Sequence, residues 1–194
     1  MDVATNREDG VPSQHDDDGR GRVVDHLERT RDAFVAAAHD LGDAQYQFKR
    51  DTDAWSIGQI VEHVALAELR FLDLVGKLAH APAPNAEKTR GPARFSRLDA
   101  VVPSRAQRRI AAPEVLTPKG TWASPEVSLA AFVEARNQTI AAAAAADPEA
   151  QEHVLPHRFF GDLDLEEWAY FTALHSERHI AQIAEIKQAA GFPV

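Results

Sequence analysis

The segment DLEEWAYFTALHSERHIAQIAEIKQAAGFP (residues 164–193) has the pattern of one long amphipathic helix that begins and ends within it. Asp164 is followed three residues later by Glu167, a carboxylate variant of the capping box that marks a helix start. Gly191 and Pro193 are residue types that end helices. The inward stripe recurs at helical spacing and contains two histidines. Its members are Leu165, Trp168, Ala169, Thr172, His175, Ser176, His179, Ile183 and Ile186.

His175 and His179 are the two residues of this stripe that can bind a metal ion. Four residues apart on a helix, they project from one face and can chelate a single ion. The helical period places His179 at the centre of the stripe and His175 near its edge, so both face the core. The alternative is a pair of core histidines hydrogen-bonded to their neighbours, and the spacing alone leaves it open.

A second helix is predicted from about Ile57 to Leu78, and it carries a third histidine. Ser56 and Gln59 have the S-x-x-Q spacing of a capping box, and prolines follow the helix. Its apolar stripe has the period of a core-facing bundle helix, with His63 at the flank of that stripe. Two imidazoles on one helix and one on another can close a triad around one ion, which favours a metal site.

Two further helices complete an all-α four-helix bundle. The first is predicted over Val23 to Leu41, with Gly42 as its C-terminal stop. The third starts at Ser124, a capping residue, and runs from Pro125 to about Ala146. Prolines interrupt the region from Ala81 to Thr121, so a long crossover is expected between helices two and three.

Length and composition bound the class of protein. The 194 residues suit one domain, and 44% hydrophobic with 26% charged residues is ordinary globular usage. Residues 1–22 are polar, include the run Asp16-Asp17-Asp18 and lack apolar periodicity, which predicts a disordered acidic tail before a domain over residues 23–194.

Charge and hydropathy exclude several partners. The net charge of -9 provides no basic field, so neither nucleic acid nor a membrane is expected as a partner. We expect a small-molecule substrate instead. No stretch approaches the roughly 20 apolar residues of a membrane-spanning helix. The first residues lack the basic-then-apolar pattern of a secretory signal, so we expect a cytoplasmic location.

The chain contains no cysteine, so a metal ion must be bound by histidine and carboxylate. Three imidazoles leave coordination positions for water or substrate, as catalytic sites do. Imidazole suits zinc, nickel, iron and copper about equally. We expect one divalent ion, zinc or nickel, with iron or manganese as alternatives.

Four other residues are candidates for the site. Glu68 lies near the middle of helix two's stripe. In a functional role it would orient a ligand histidine or act as general base near metal-bound water. In a structural role it would pair with an arginine such as Arg136 or reach solvent. His157, just before the last helix, can line the pocket mouth as a catalytic group, or be solvated. Arg178 and Gln182 flank the metal face and are candidates for binding a polar substrate or cofactor, or lie at the surface.

Two segments resemble the signatures of the DinB/YfiT-like superfamily. Residues 55–64 (WSIGQIVEHV), followed by Glu68, are similar to the first signature. Residues 175–183 (HSERHIAQI) are similar to the second, and residues 160–168 resemble its lead-in. The resemblance covers residues 41–186. It implies an up-up-down-down four-helix bundle, a metal ion on His63, His175 and His179, and frequently a homodimer.

The reaction implied by this resemblance is open between three classes. Similar proteins include transferases and isomerases that use low-molecular-weight thiols such as bacillithiol, mycothiol or glutathione. The first expectation is therefore a metal-dependent thiol S-transferase, in which the ion lowers the pKa of a bound thiol. The alternatives are a hydrolase with metal-activated water and Glu68 as base, and a metal-binding or stress-linked protein without turnover.

Overall fold

Six helices and a short hairpin make up the computed structural model, which describes residues 14–78, 80–83, 92–106, 111–146 and 152–194. The helices are α1 (Gln14–Ala38), α2 (Asp43–Gln47), α3 (Ile57–Leu78), α4 (Ser96–Val101), α5 (Pro125–Ala144) and α6 (Leu165–Lys187). The strands are β1 (Leu155–His157) and β2 (Gly161–Leu163), and 3-10 turns occupy Pro92–Phe95 and Glu114–Leu116. The four long helices, α1, α3, α5 and α6, form a bundle, as predicted.

The helices of the bundle alternate in a ring, because α1 and α3 each pack against both α5 and α6. Two apolar clusters fill the two ends of the bundle. One joins the start of α1, the ends of α3 and α5 and the start of α6 through Leu27, Leu78, Ala143 and Ala169. The other joins the opposite ends through Phe34, Ile57, Leu129 and Ile183. Helices α1 and α6 therefore run in one direction, and α3 and α5 run in the other.

The order of directions along the chain is up-down-down-up, which corrects the up-up-down-down order that the resemblance implied. The link between α1 and α3 stays at one end of the bundle, so α3 must run back against α1. The crossover between α3 and α5 instead returns over the bundle length, about 30 Å for a helix of 20 residues, so α5 runs parallel to α3. The predicted long crossover is thus what makes these two helices parallel.

The predicted capping boxes are present and fix where the two histidine-bearing helices begin. On α6, Glu167 N donates to Asp164 Oδ1 (2.9 Å) and Asp164 N donates to Glu167 Oε2 (3.1 Å). On α3, Gln59 N donates to Ser56 Oγ (3.3 Å) and Ser56 N donates to Gln59 Oε1 (3.1 Å). These reciprocal bonds satisfy amides that the first turn of a helix leaves unpaired. The predicted bounds of α3 are those observed.

The first helix differs from its prediction at both ends. It begins at Gln14, so the disorder expected over residues 1–22 is not found from Gln14 onward, and residues 1–13 lie outside the described residues. Polar contacts anchor this extension, since Arg22 donates to the Tyr170 hydroxyl (2.9 Å). The helix ends at Ala38, and Asp40 takes the left-handed conformation (φ 56°) that short polar side chains tolerate. Gly42 does not end α1; it precedes α2 with φ -73°.

The small hairpin before α6 was not predicted. Strands β1 and β2 pair antiparallel, with Leu155 opposite Leu163 and His157 opposite Gly161. Each strand has three residues, too few for alternating hydrophobicity to show. Gly161 has φ 70°, a conformation that favours glycine. None of the helices in the described part of the chain is both long and apolar enough to span a membrane.

Candidate metal centre

Three histidines from α3 and α6 converge at one point in the bundle. His175 Nε2 lies 3.3 Å from His63 Nε2 and 3.2 Å from His179 Nε2. The potential ligand atoms of all three lie within 4.8 Å of one another. His63 and His179 are buried, with 4% and 6% of their surface exposed, and His175 is half-buried. The structure therefore brings together the three residues that the sequence predicted as metal ligands.

Outward hydrogen bonds fix the orientation of two of the rings. His63 Nδ1 lies 2.7 Å from the Leu116 carbonyl oxygen, and His179 Nδ1 lies 2.9 Å from Gln182 Oε1. A carbonyl oxygen only accepts, so both rings carry their proton on Nδ1 and present a lone pair at Nε2. Such an outer acceptor is the usual partner of a metal-binding histidine.

The inward nitrogens cannot all satisfy one another. His63 and His179 both direct a lone pair at His175 Nε2, which can offer one proton at most. In at least one of the two contacts, therefore, two nitrogen lone pairs face each other with no proton between them. A cation between the three nitrogens would satisfy all of them. Two nitrogens bound 2.0–2.1 Å from a tetrahedral ion lie about 3.3–3.4 Å apart, so the observed separations of 3.2 and 3.3 Å fit.

The environment keeps the three imidazoles neutral. Burial lowers the pKa of His63 below 6.5, although the bond to Leu116 opposes this shift. Burial also lowers the pKa of His175 well below 6.5, and His63, Arg136 and Arg178 lower it further. Burial likewise lowers the pKa of His179 well below 6.5, as do the other two histidines and Arg178, while the bond to Gln182 opposes the shift. Because a metal ion binds neutral imidazole, these shifts let metal compete with protons at lower pH than for an exposed histidine.

Glu62, the residue before His63 on α3, holds a loop of the crossover in place beside His63. The Glu62 carboxylate, only 7% exposed, accepts hydrogen bonds from Lys119 N (2.9 Å), Gly120 N (3.1 Å) and Thr121 N (2.8 Å). Burial would raise the pKa of Glu62, but these backbone bonds outweigh it and the pKa is lowered. This loop follows Leu116, the acceptor of His63 Nδ1, so Glu62 holds the segment that orients His63.

Glu68 is paired with Arg136, which is the alternative that the sequence analysis left open. It is 1% exposed, and its Oε1 accepts from Arg136 Nη2 (2.5 Å) while its Oε2 accepts from Thr139 Oγ1 (2.9 Å). Both oxygens thus bind α5. A catalytic role for Glu68 stays a prediction, and it would require one of these bonds to be released.

His157 lies in β1, one aromatic ring away from the triad. Its ring centroid is 4.8 Å from that of Phe171, which in turn stacks on His175 at 6.0 Å. Phe160 and Trp168 also contact His157. Burial, followed by the positive charges of Arg158 and Arg97, lowers its pKa to about 4. His157 is therefore neutral near pH 7 and forms part of an aromatic wall on the outer side of the site.

The two residues predicted to bind a cofactor have different surroundings. Gln182 accepts from His179 and so orients a triad histidine. Arg178 is half-buried, and burial and the nearby Arg105 lower its pKa, while Glu185 opposes. Arg105 itself binds both oxygens of Glu185 (3.0 and 2.8 Å). Arg50 Nη1 also lies 3.8 Å from Glu185 Oε2. The positive charge of Arg178 lies close enough to the triad to lower the pKa of both His175 and His179.

Contributors to the site that were not identified from sequence include Glu62, the Leu116 carbonyl, Trp55 and Phe171. The Trp55 ring lies 4.7 Å from that of His63. A backbone carbonyl has no residue-type signature, and nothing in the pattern of the crossover predicts which carbonyl meets His63. Glu62 was identifiable in principle, because it is a carboxylate at a buried position of α3 and therefore requires hydrogen-bond donors.

Comparison with known proteins identifies similar sequences and folds. A family model described as the DinB superfamily matches residues 26–183. The uncharacterized protein YuaE of Bacillus subtilis is 28% identical over 149 residues, which cover 76% of this chain and 86% of YuaE.

One solved structure has a similar fold over nearly the whole chain. It is YfiT from Bacillus subtilis, described as a probable metal-dependent hydrolase with an unusual four-helix bundle topology. It matches with a TM-score of 0.62 and 18% identity, covering 98% of this chain and 95% of YfiT. At this identity the likeness establishes the shared bundle fold.

Proposed function

The chain belongs to the DinB superfamily, whose family model covers residues 26–183, and on this basis we propose that it is a metal-dependent enzyme. The proposed centre is one divalent ion on His63, His175 and His179. The observation that carries this proposal is the convergence of three neutral imidazoles, two of which point a lone pair at the third. Zinc and nickel are the proposed ions, with iron and manganese as alternatives, since imidazole binds several of them.

The proposed reaction is S-transfer from a low-molecular-weight thiol. A divalent ion supplies Lewis acidity, which lowers the pKa of a thiol or of water. The chain has no cysteine, so the sulfur nucleophile must come from a separate molecule. In this reaction the sulfur bonds to an electrophilic carbon, the leaving group departs with its bonding electrons, and the thiol proton passes to solvent. No carboxylate base is required, which agrees with the engagement of Glu68 by Arg136 and Thr139.

The surrounding residues have distinct roles in this proposal. The Leu116 carbonyl and Gln182 hold two histidine rings in the orientation that binds an ion. Trp55 and Phe171 pack on His63 and His175, and their apolar rings limit the access of water. Arg178 supplies a positive charge that binds a carboxylate on the thiol or on its acceptor.

A hydrolase is the second candidate, and one observation favours it. YfiT, which shares the fold, is described as a probable metal-dependent hydrolase. In this case a general base would assist the attack of water, and Glu68 is the candidate. Its bonds to Arg136 and Thr139 are the feature that makes hydrolysis second to thiol transfer.

A comparison of metal-loaded and metal-free protein tests the two reactions. Each form is incubated with glutathione, cysteine or bacillithiol and a chromogenic aryl halide, and in parallel with a chromogenic ester without thiol. We expect thioether formation that requires both metal and thiol and that is absent in His175→Ala. No metal-dependent rate with any thiol would contradict S-transfer, whereas metal-dependent ester cleavage without thiol would favour the hydrolase. Retained metal with neither rate would indicate a binding protein without turnover.

A further inference from the structure

Arg136 lies on α5 at the centre of the bundle with 0% of its surface exposed. Its guanidinium group donates hydrogen bonds to each of the other three long helices. The acceptors are Leu27 O (3.3 Å) and Thr30 Oγ1 (2.9 Å) on α1, Glu68 Oε1 (2.5 Å) on α3, and Thr172 O (3.2 Å) and Ser176 Oγ (2.9 Å) on α6. One side chain therefore connects all four helices.

This network forms a polar layer between the two apolar clusters of the core. Its side chains are buried and belong to neither cluster. They are Thr30, Glu68, Arg136, Thr139, Thr172 and Ser176. The hydrophobic effect is not directional, so the burial of apolar area by itself distinguishes little between small axial shifts of the helices. Hydrogen bonds are directional, so the bonds of this layer favour the axial register in which all of them form.

The layer is a costly way to stabilise a bundle. Arg136 Nε is buried and has no hydrogen-bond partner among the described residues. A buried donor without a partner destabilises the folded state, and replacing a buried ion pair by apolar residues of similar volume is often neutral or stabilising. Stability therefore does not explain the arginine, whereas fixing a register does.

The register that Arg136 fixes is the one between the two helices that carry the triad. On α6 its acceptors Thr172 and Ser176 lie on either side of His175, and on α3 its acceptor Glu68 lies little more than one turn beyond His63. A shift of α6 against α3 would change the separation of His63 from His175 and His179. Metal affinity is sensitive to the positions of the ligands, because substituting a residue that supports them typically lowers the affinity 10–100-fold.

We propose that Arg136 is the positioning residue of the metal centre, setting the axial register of α6 against α3 through its bonds to Glu68, Thr172 and Ser176. This inference rests on the proposed metal site. It assigns no contact between Arg136 and the ion or the substrate. It predicts that removing the network weakens metal binding even where it leaves the fold as stable as before.

The test is the double variant Arg136→Met with Glu68→Met, which removes both buried charges and keeps the volume similar. We expect a melting temperature of the metal-free protein at or above that of the wild type. Zinc affinity, measured by competition with a chromophoric chelator, is expected to fall about 10–100-fold. Zinc affinity within about threefold of the wild type would overturn the inference.

A matched control changes a buried ion pair of the same kind elsewhere on α6. Arg94, in the 3-10 turn Pro92–Phe95, donates to Glu166 in the first turn of α6, and both side chains are buried. Arg94 also donates to Asp164 Oδ2 (3.5 Å), the residue that caps this helix. Glu166 lies about 14 Å from His175 along the axis at 1.5 Å per residue. The double variant Arg94→Met with Glu166→Met is expected to bind zinc like the wild type. An equal loss in this control would assign the effect to general destabilisation and overturn the inference.

A milder variant decides the question if the methionine pair does not fold. Ser176→Ala removes only the bond from Arg136 beside His175, and we expect a several-fold loss of zinc affinity. The absorption spectrum of bound cobalt(II) should also change, because it reports the geometry of the ligands. General destabilisation of the fold would leave this spectrum unchanged. Wild-type affinity and an unchanged cobalt spectrum would overturn the inference. Failure of the wild type itself to bind metal would instead contradict the proposed function.

Discussion

Glu62 fastens the crossover beside the metal centre, and Glu62→Gln is expected to loosen it. The carboxylate accepts three backbone bonds, from Lys119, Gly120 and Thr121. A glutamine oxygen can replace Oε1, which accepts two of them, but its amide group would face the Gly120 N–H. One bond is lost and two lose the contribution of the charge. A bond to a charged group contributes about 1.5–3 kcal/mol and a neutral one about 0.5–1.5, so the lost bond and the two weakened bonds together lower the stability by about 5 kcal/mol.

Thermal unfolding and metal titration measure this prediction. At roughly 2–4 °C per kcal/mol for a chain of this size, the melting temperature should fall by about 10–20 °C. Because the loop also places the Leu116 carbonyl against His63, zinc affinity should fall about tenfold. Glu134→Gln on the exposed face of α5 is the control, and it should change neither quantity. A Glu62→Gln protein with wild-type melting temperature and zinc affinity would refute the role assigned to the bonds between Glu62 and this loop.

Three further predictions concern pH, substrate charge and metal removal. The pKa of His157 is about 4 in the folded chain and 6.5 is its ordinary value, so the unfolded chain takes up a proton first and stability falls as pH drops from 6.5 to about 4. His157→Phe should therefore show a smaller fall in melting temperature across this pH range than the wild type does. Parallel curves of melting temperature against pH for the two proteins would contradict this prediction. Arg178→Met should raise the KM for a carboxylate-bearing thiol about tenfold, the equivalent of about 1.4 kcal/mol, and leave the KM for a neutral thiol unchanged; equal effects on both would refute the anion contact. Chelation of the ion should lower the melting temperature, since ligand at 100 times its Kd stabilises by about 2.7 kcal/mol; recovery on adding zinc but not calcium would support imidazole ligands.

Local signals predicted the two helices that carry the site. Ser56 with Gln59 and Asp164 with Glu167 are capping pairs whose bonds form within one turn, so the chain needs no distant contact to specify them. Periodicity then placed His175 and His179 on the inner face of α6. His63 followed from its position on α3 together with the resemblance between its segment and a family signature.

Features that depend on distant contacts were not predictable in the same way. The N-terminal extension of α1 has no apolar stripe, and it is held by contacts such as that of Arg22 with Tyr170. The direction of α5 depends on the path of the crossover that precedes it, which no local pattern encodes. The full set of partners around Arg136 required all four helices to be in place. The homodimer, the cytoplasmic location and the identity of the ion stay predictions.

The metal content of purified protein, with its three single-histidine variants, tests the central claim most directly. The claim predicts about one zinc or nickel ion per chain in the wild type, measured by elemental analysis, and loss of stoichiometric metal in each of His63→Ala, His175→Ala and His179→Ala. His39→Ala, which changes an exposed histidine of the first interhelical link, should retain the ion. Circular dichroism should confirm that each variant is folded. Stoichiometric metal in all three triad variants, or an equal loss in His39→Ala, would contradict the claim.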